Sequence, residues 1–241
     1  MTVERLAELV RTLQPCVALT GAGISTESGI PDFRSAGGIW ATYDPMEVAS
    51  IDGFRRDPAR AWEFYARRLA VLCDAQPNPG HDALARLEEL GLVGAVVTQN
   101  VDGLHQRAGS RDVIEVHGSI RGAVCLRCGA RATFERVLEL LPLPRCECGE
   151  VLKPGVVMFG ELLPVAAIER ATELARAARL LLVVGSSLEV HPVAGLPFET
   201  LRRGGTLAIV NRGPTALDEH ADVRLDGSAG ELLQRVLALV E

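Results

Sequence analysis

Short apolar runs recur along this chain, and a helical stretch follows nearly every one. That alternation limits the fold more than any other feature. The runs cover 16–20, 95–98, 113–116, 180–184, 207–210 and 223–225. Several are apolar at almost every position, which suits strands buried on both faces. Helical patterning covers 2–13, 61–73, 81–90, 165–178, 193–203 and 229–240. Strands alternating with helices predict an α/β fold, a parallel sheet with helices on both faces. Two segments break the pattern. Residues 38–79 read as one helix and two aromatic-rich turns, and 119–154 carry four cysteines with little apolar periodicity. Both read as insertions that pack together as a small domain. Residues 1–37, 80–118 and 155–241 then make up the main one.

Each strand runs into small or polar residues: "CVALT" into "GAGIS", "AVVT" into "QNVD", "LLLVV" into "GSS", "LAIV" into "NRG" and "DVRLD" into "GSAG". Open α/β sheets bind ligands at the carboxyl ends of their strands. One such loop is ordinary turn chemistry; five together suggest one extended ligand, and a dinucleotide has the right length. Gly21-Ala22-Gly23 opens like the dinucleotide fingerprint, but Thr26 stands at the third glycine position, which weakens a dehydrogenase reading.

Other features bound the function. With a formal charge of −6 and no long basic run, a nucleic acid is not the expected ligand. The first residues show an amphipathic helix rather than a signal-peptide core, and no apolar run reaches the length of a bilayer span. We expect a cytoplasmic protein with no membrane partner, and a monomer is compatible with the sequence. The chain has 24 arginines and a single lysine, Lys153. That ratio reads as composition bias. Cys125-x-x-Cys128 and Cys146-x-Cys148 form two close pairs, a pattern that suits tetrahedral Zn2+ in a structural site. Paired disulfides are the alternative and do not fit a cytosolic protein. Cys16 and Cys73 are isolated and expected to be buried.

Six segments together resemble the sirtuins, the family of NAD-dependent protein-lysine deacylases. They are "GAGISTESGIPDFRS", "TQNVDGLHQRAG", "VHG", "CLRC" with "CEC", "PGVVMFGE" and "VGSSLEVHPVAG", in family order and spread along essentially the whole chain. The resemblance implies a Rossmann-like domain with a small zinc-binding module, and NAD as co-substrate. It implies cofactor contacts from Gly21, Ala22, Gly23, Ser25, Asp32, Phe33, Arg34 and Trp40. Gly21 and Gly23 would let the backbone reach the pyrophosphate, with a following helix N-terminus supplying N–H donors. It adds Gln99 and Val101 as cofactor contacts, and places Asn100 and Asp102 at the nicotinamide ribose and carboxamide. It places Ser186, Ser187 and Asn211 at the adenosine half and phosphates, and implies further cofactor contacts from Gly185, Arg212, Gly213 and Ala229. His117 matches the catalytic base that activates a ribose hydroxyl, with Asn100 and Asp102 as its companions in the reaction. His81, His105, His191 and His220 lack such a match and read as structural or surface residues. Val157, Phe159, Gly160 and Glu161, with Glu189 and Val190, match the two segments between which an acyl-lysine peptide lies as an added strand. The second cysteine pair departs from the family, many of whose members have two residues between those cysteines.

The acyl group is read from "AWEFYARRLAV". Tyr65 and Arg68 share a helix face and resemble the branch that removes succinyl, malonyl and similar acidic groups. Ala49 matches a small wall residue of the same pocket. Asp32 is as in deacetylase-like members, so deacetylation is expected alongside. Two other functions fit a chain of this kind: a mono-ADP-ribosyltransferase on the same fold, and a non-catalytic NAD or ADP-ribose sensor.

Overall fold

The computed structural model describes residues 2–241. Its main sheet holds β1 (Cys16–Thr20), β2 (Ala95–Thr98), β3 (Val113–Glu115), β7 (Leu180–Val184), β8 (Thr206–Asn211) and β9 (Val223–Asp226). All pair in parallel, in the order β3-β2-β1-β7-β8-β9. Every residue of β1 and β7 is buried. Side chains leave a strand on alternate faces, and the core divides accordingly. Leu180, Leu182 and Val184 pack with α1 (Val3–Thr12), α5 (Pro79–Glu89) and α10 (Ala229–Val240). Leu181 and Val183 pack with α8 (Val165–Ala177) and α9 (Leu196–Leu201). This is the parallel sheet with helices on both faces read from the alternation, in the Rossmann-like form that the resemblance implied. The chain runs outward in both directions from β1 and β7, so the crevice for a ligand opens at their carboxyl ends.

A second sheet has the antiparallel order β5-β4-β6, built from β4 (Gly118–Cys125), β5 (Arg131–Thr133) and β6 (Leu152–Val156). It packs on α2 (Pro45–Val48), α3 (Ile51–Arg56) and α4 (Pro58–Asp74) through a separate core that includes Trp62, Tyr65, Leu69, Ile120 and Val156. The Trp62 indole N–H donates to the Leu152 carbonyl at 2.7 Å and pins α4 to this sheet. Two short helices complete the set, α6 (Leu104–Ala108) and α7 (Phe134–Glu139).

The structure corrects several expectations. Residues 38–79 hold three α-helices rather than one. α2 and α3 are too short to show apolar periodicity and are set by the caps Asp44 and Ser50, whose side chains accept from the Met46 and Gly53 N–H groups. The helix expected over 193–203 is a 3-10 turn, Val193–Gly195, followed by α9 with a proline in its first turn. Cys16 is buried, but Cys73 is exposed near the end of α4. No helix among the described residues is long and apolar enough to cross a membrane.

Candidate functional site

The loops after β1 and β7 meet at the crevice, and glycine makes the meeting possible. A Cβ on Gly21 would lie 2.8 Å from the Gly185 carbonyl oxygen, and one on Gly23 would lie 2.7 Å from the Gly185 Cα. The Gly23 N–H donates to the Gly185 carbonyl at 2.8 Å, and Gly185 itself has φ +62. Thus both glycines of "GAG" are required by loop-to-loop packing, whatever ligand approaches. The helix that follows is a 3-10 helix, Ala22–Ser28, rather than an α-helix.

A cavity of about 990 Å³ extends along this edge from the ends of β2 and β1 to those of β8 and β9. Its size and extension fit an elongated dinucleotide better than a compact ligand. Every residue predicted for catalysis, cofactor or substrate lines it, including His117, Asn100, Asp102, Asn211, Ala229, Tyr65, Arg68 and Phe159. The four cysteines do not; they form a separate cluster.

Hydrogen bonds lock the floor of the cavity. Asn100 Nδ2 donates to the Gly21 carbonyl at 3.1 Å and to Ser25 Oγ at 3.0 Å. Ser25 Oγ donates to Asp102 Oδ2 at 2.8 Å, and Asp102 Oδ1 accepts from the Leu104 N–H at 2.9 Å. Asp102 therefore steadies the start of α6 and faces the cavity at once. Beneath lies a buried histidine pair, His81 and His105, with ring centroids 4.9 Å apart. His105 Nε2 meets Thr20 Oγ1 at 2.9 Å, and burial drives its imidazole down to about 3, so it is neutral. His191, expected to be structural or on the surface, lines the cavity.

His117 sits just beyond β3. Its Nδ1 lies 3.0 Å from the Gln99 carbonyl oxygen. A carbonyl only accepts, so Nδ1 carries the proton and Nε2 keeps a lone pair. Burial lowers the imidazole below its ordinary value, opposed by that same hydrogen bond. The result is a neutral ring, oriented to accept a proton at Nε2.

Comparison with known proteins decides the family. The Sir2 family model matches residues 21–192. The chain belongs to the Sir2 family. This sirtuin is 47% identical over 237 residues to NAD-dependent protein deacylase 2 of Pyrobaculum aerophilum, covering 98% of this chain and 95% of that one. It is 43% identical over 235 residues to NAD-dependent protein deacylase 1 of Archaeoglobus fulgidus, covering 97% and 96%. Among solved structures it is similar to a point mutant of a Sir2 homologue in complex with ADP-ribose, with TM-score 0.95, 43% identity and coverage of 100% and 96%. It is also similar to Sir2Tm bound to a propionylated peptide, with TM-score 0.91, 41% identity and coverage of 99% and 98%.

At the far end of the sirtuin cavity Arg68 projects from α4 among aromatic rings. Its guanidinium carbon lies 5.0 Å from the Phe33 ring centroid and 5.7 Å from that of Phe64. No carboxylate among the described residues pairs with it. Tyr65 beside it is 5% exposed, and burial raises its phenol well above the ordinary value. Across the mouth, Arg34 Nε meets Glu189 Oε2 at 3.1 Å and joins the "PDFR" and "SSLEV" loops.

The four cysteine sulfurs lie within 4.8 Å of one another, with 3.5 Å between Cys125 and Cys148 and between Cys128 and Cys146. These separations exceed a disulfide bond and approach the sulfur spacing around a tetrahedral zinc. Both knuckles turn through a glycine of positive φ, Gly129 and Gly149. Gly129 N–H bonds to the Cys125 carbonyl, whereas Gly149 N–H bonds to that of Cys146, one residue closer. A tighter turn thus absorbs the short spacer. The cluster is grouped to hold one zinc. Purified protein should contain one zinc per chain, and stripping it should unfold the knuckles and lower the melting temperature. Elemental analysis with thermal melts checks this; unchanged melting after exhaustive chelation would count against a structural metal.

Two residues that line or brace the site had no signal in the sequence. Glu27 lines the cavity and accepts from Ser228 Oγ at 2.7 Å and the Gly230 N–H at 2.9 Å, which ties the first loop to the start of α10. Lys153, read as a mere composition effect, is buried within β6 and meets Glu161 in the turn that follows. Only the folded chain brings these partners together.

Proposed function

We propose that this sirtuin is an NAD-dependent protein-lysine deacylase whose acyl pocket accepts acidic acyl groups, succinyl and malonyl, as well as acetyl. The observation that carries the acidic reading is Arg68, a guanidinium lining the cavity with no carboxylate among the described residues paired with it. Such a group matches a carboxylate in two-pronged fashion, and Tyr65 adds a phenolic donor. NAD supplies a ribosyl carbon that bears nicotinamide as a leaving group, and the acyl oxygen of the peptide is the nucleophile. The chain's part is positioning. Asn100, Asp102 and Ser25 hold the nicotinamide ribose, while Ser186, Ser187 and Asn211 hold the adenosine half. His117 Nε2 takes the proton from a ribose hydroxyl.

The peptide pairs with residues 157–160 on one side and Glu189 and Val190 on the other. Among the described residues, the Val157 carbonyl and the Gly160 N–H have no protein partner, so both are free for a strand. Residues 38–79 and 119–154 form the small domain, the rest the main one. Four thiols kept for a metal fit a cytoplasmic location.

Mass spectrometry of reactions with acetyl- and succinyl-lysine peptides tests the reading. Free lysine and O-acyl-ADP-ribose are expected from both peptides. ADP-ribose attached to protein without loss of the acyl group would mark a mono-ADP-ribosyltransferase instead.

A further inference from the structure

Every basic side chain apart from the histidines is an arginine, except one. Lys153 is 5% exposed, and its Nζ lies 2.6 Å from the Val156 carbonyl, 3.0 Å from the Pro154 carbonyl and 3.0 Å from Glu161 Oε2. An ammonium has three N–H donors, and three acceptors surround it. A guanidinium spreads its donors in one plane and needs more room. The site thus suits lysine in a chain that otherwise uses arginine for positive charge.

The partners of Lys153 lie at the end of β6 and in the turn that follows it. Glu161 Oε2 also accepts from the Met158 N–H at 2.8 Å, and the Glu161 N–H returns to the Met158 carbonyl at 3.0 Å. The Val157 N–H donates to the His117 carbonyl at 2.8 Å, and the Phe159 N–H to the Ala49 carbonyl at 2.8 Å. Among the described residues, every backbone N–H and C=O of 157–159 is bonded except the Val157 carbonyl, and Gly160 is unbonded. Glu161, predicted to touch the substrate, spends Oε2 inside its own loop.

We propose that Lys153 is a positioning residue for the acyl-peptide substrate. With Glu161 it sets the backbone of 156–161 so that the free groups of Val157 and Gly160 meet the incoming strand. The inference rests on the deacylase reading above. Without Lys153, Glu161 loses its counter-charge, turns to water and releases the Met158 N–H. The peptide-pairing edge loosens, while the cofactor loops at Gly21 and Gly185 keep their own contacts. The His117 backbone touches this loop through Val157, but its imidazole is oriented by the Gln99 carbonyl, so turnover at saturating peptide changes less than peptide affinity.

Steady-state kinetics on an acetyl-lysine peptide test this with wild type, Lys153→Met and Lys153→Arg. Lys153→Met is expected to raise the peptide KM by about 10-fold or more, the loss of a charge-assisted contact, with the KM for NAD nearly unchanged. Lys153→Arg keeps the charge without seating three donors, and should raise the peptide KM by a smaller factor. If Lys153→Met does not fold, Lys153→Arg carries the test. A wild-type peptide KM in whichever variant is read, or an equal rise in both KM values, overturns the proposal. An inactive wild type would overturn the deacylase reading itself; an active wild type with indifferent variants overturns only the role of Lys153.

Discussion

His117→Ala is expected to keep the fold and NAD binding while deacylation falls by at least about 100-fold, the low end for loss of a general base. The Gln99 carbonyl fixes the tautomer and leaves Nε2 as the acceptor. The side chain lines the cavity and has no other hydrogen bond among the described residues, so its removal costs the fold little. Because burial lowers its pKa, the imidazole is already neutral at pH 7. Acidification should protonate it only below the ordinary value of about 6.5, and the acid limb of kcat/KM should fall there. Near wild-type turnover by a folded His117→Ala would remove His117 from catalysis.

Arg68→Met should shift the choice of acyl group. A charge-assisted hydrogen bond contributes about 1.5–3 kcal/mol, so desuccinylation should drop relative to deacetylation by roughly 10- to 150-fold. The guanidinium is held against Phe33 and Phe64, and methionine fills similar apolar space, so the aromatic wall should persist. Burial disfavours the charged guanidinium, opposed by Tyr65 and then Asp102, and a ligand carboxylate would offset that desolvation. The measurement is kcat/KM on matched succinyl- and acetyl-lysine peptides for both proteins. An unchanged ratio leaves a plain deacetylase as the better account.

The parallel sheet was legible because β1, β2 and β7 are short apolar runs between polar loops, a pattern local in sequence. The cavity was legible for the same reason: ligand contacts gather at strand ends, and those ends carry small polar residues. The second sheet was not. β4 spans Gly118–Cys125 and mixes glycine, arginine and serine, and it is held by pairing with distant β5 and β6. The purpose of Gly21 and Gly23 was read as access for a phosphate, yet their Cβ directions are filled by Gly185 and Ser186, more than 160 residues away in the chain. Lys153 was invisible for a different reason. A lone lysine carries no pattern, and its meaning comes from two carbonyls and a carboxylate that the turn after β6 brings together.

The most direct test of the whole account is nicotinamide release from NAD, measured with and without an acyl-lysine peptide. In the proposed mechanism the acyl oxygen is the nucleophile, so release should require the peptide and match, one for one, the acyl groups removed. Release at the same rate without peptide, or none with it, would contradict the assignment.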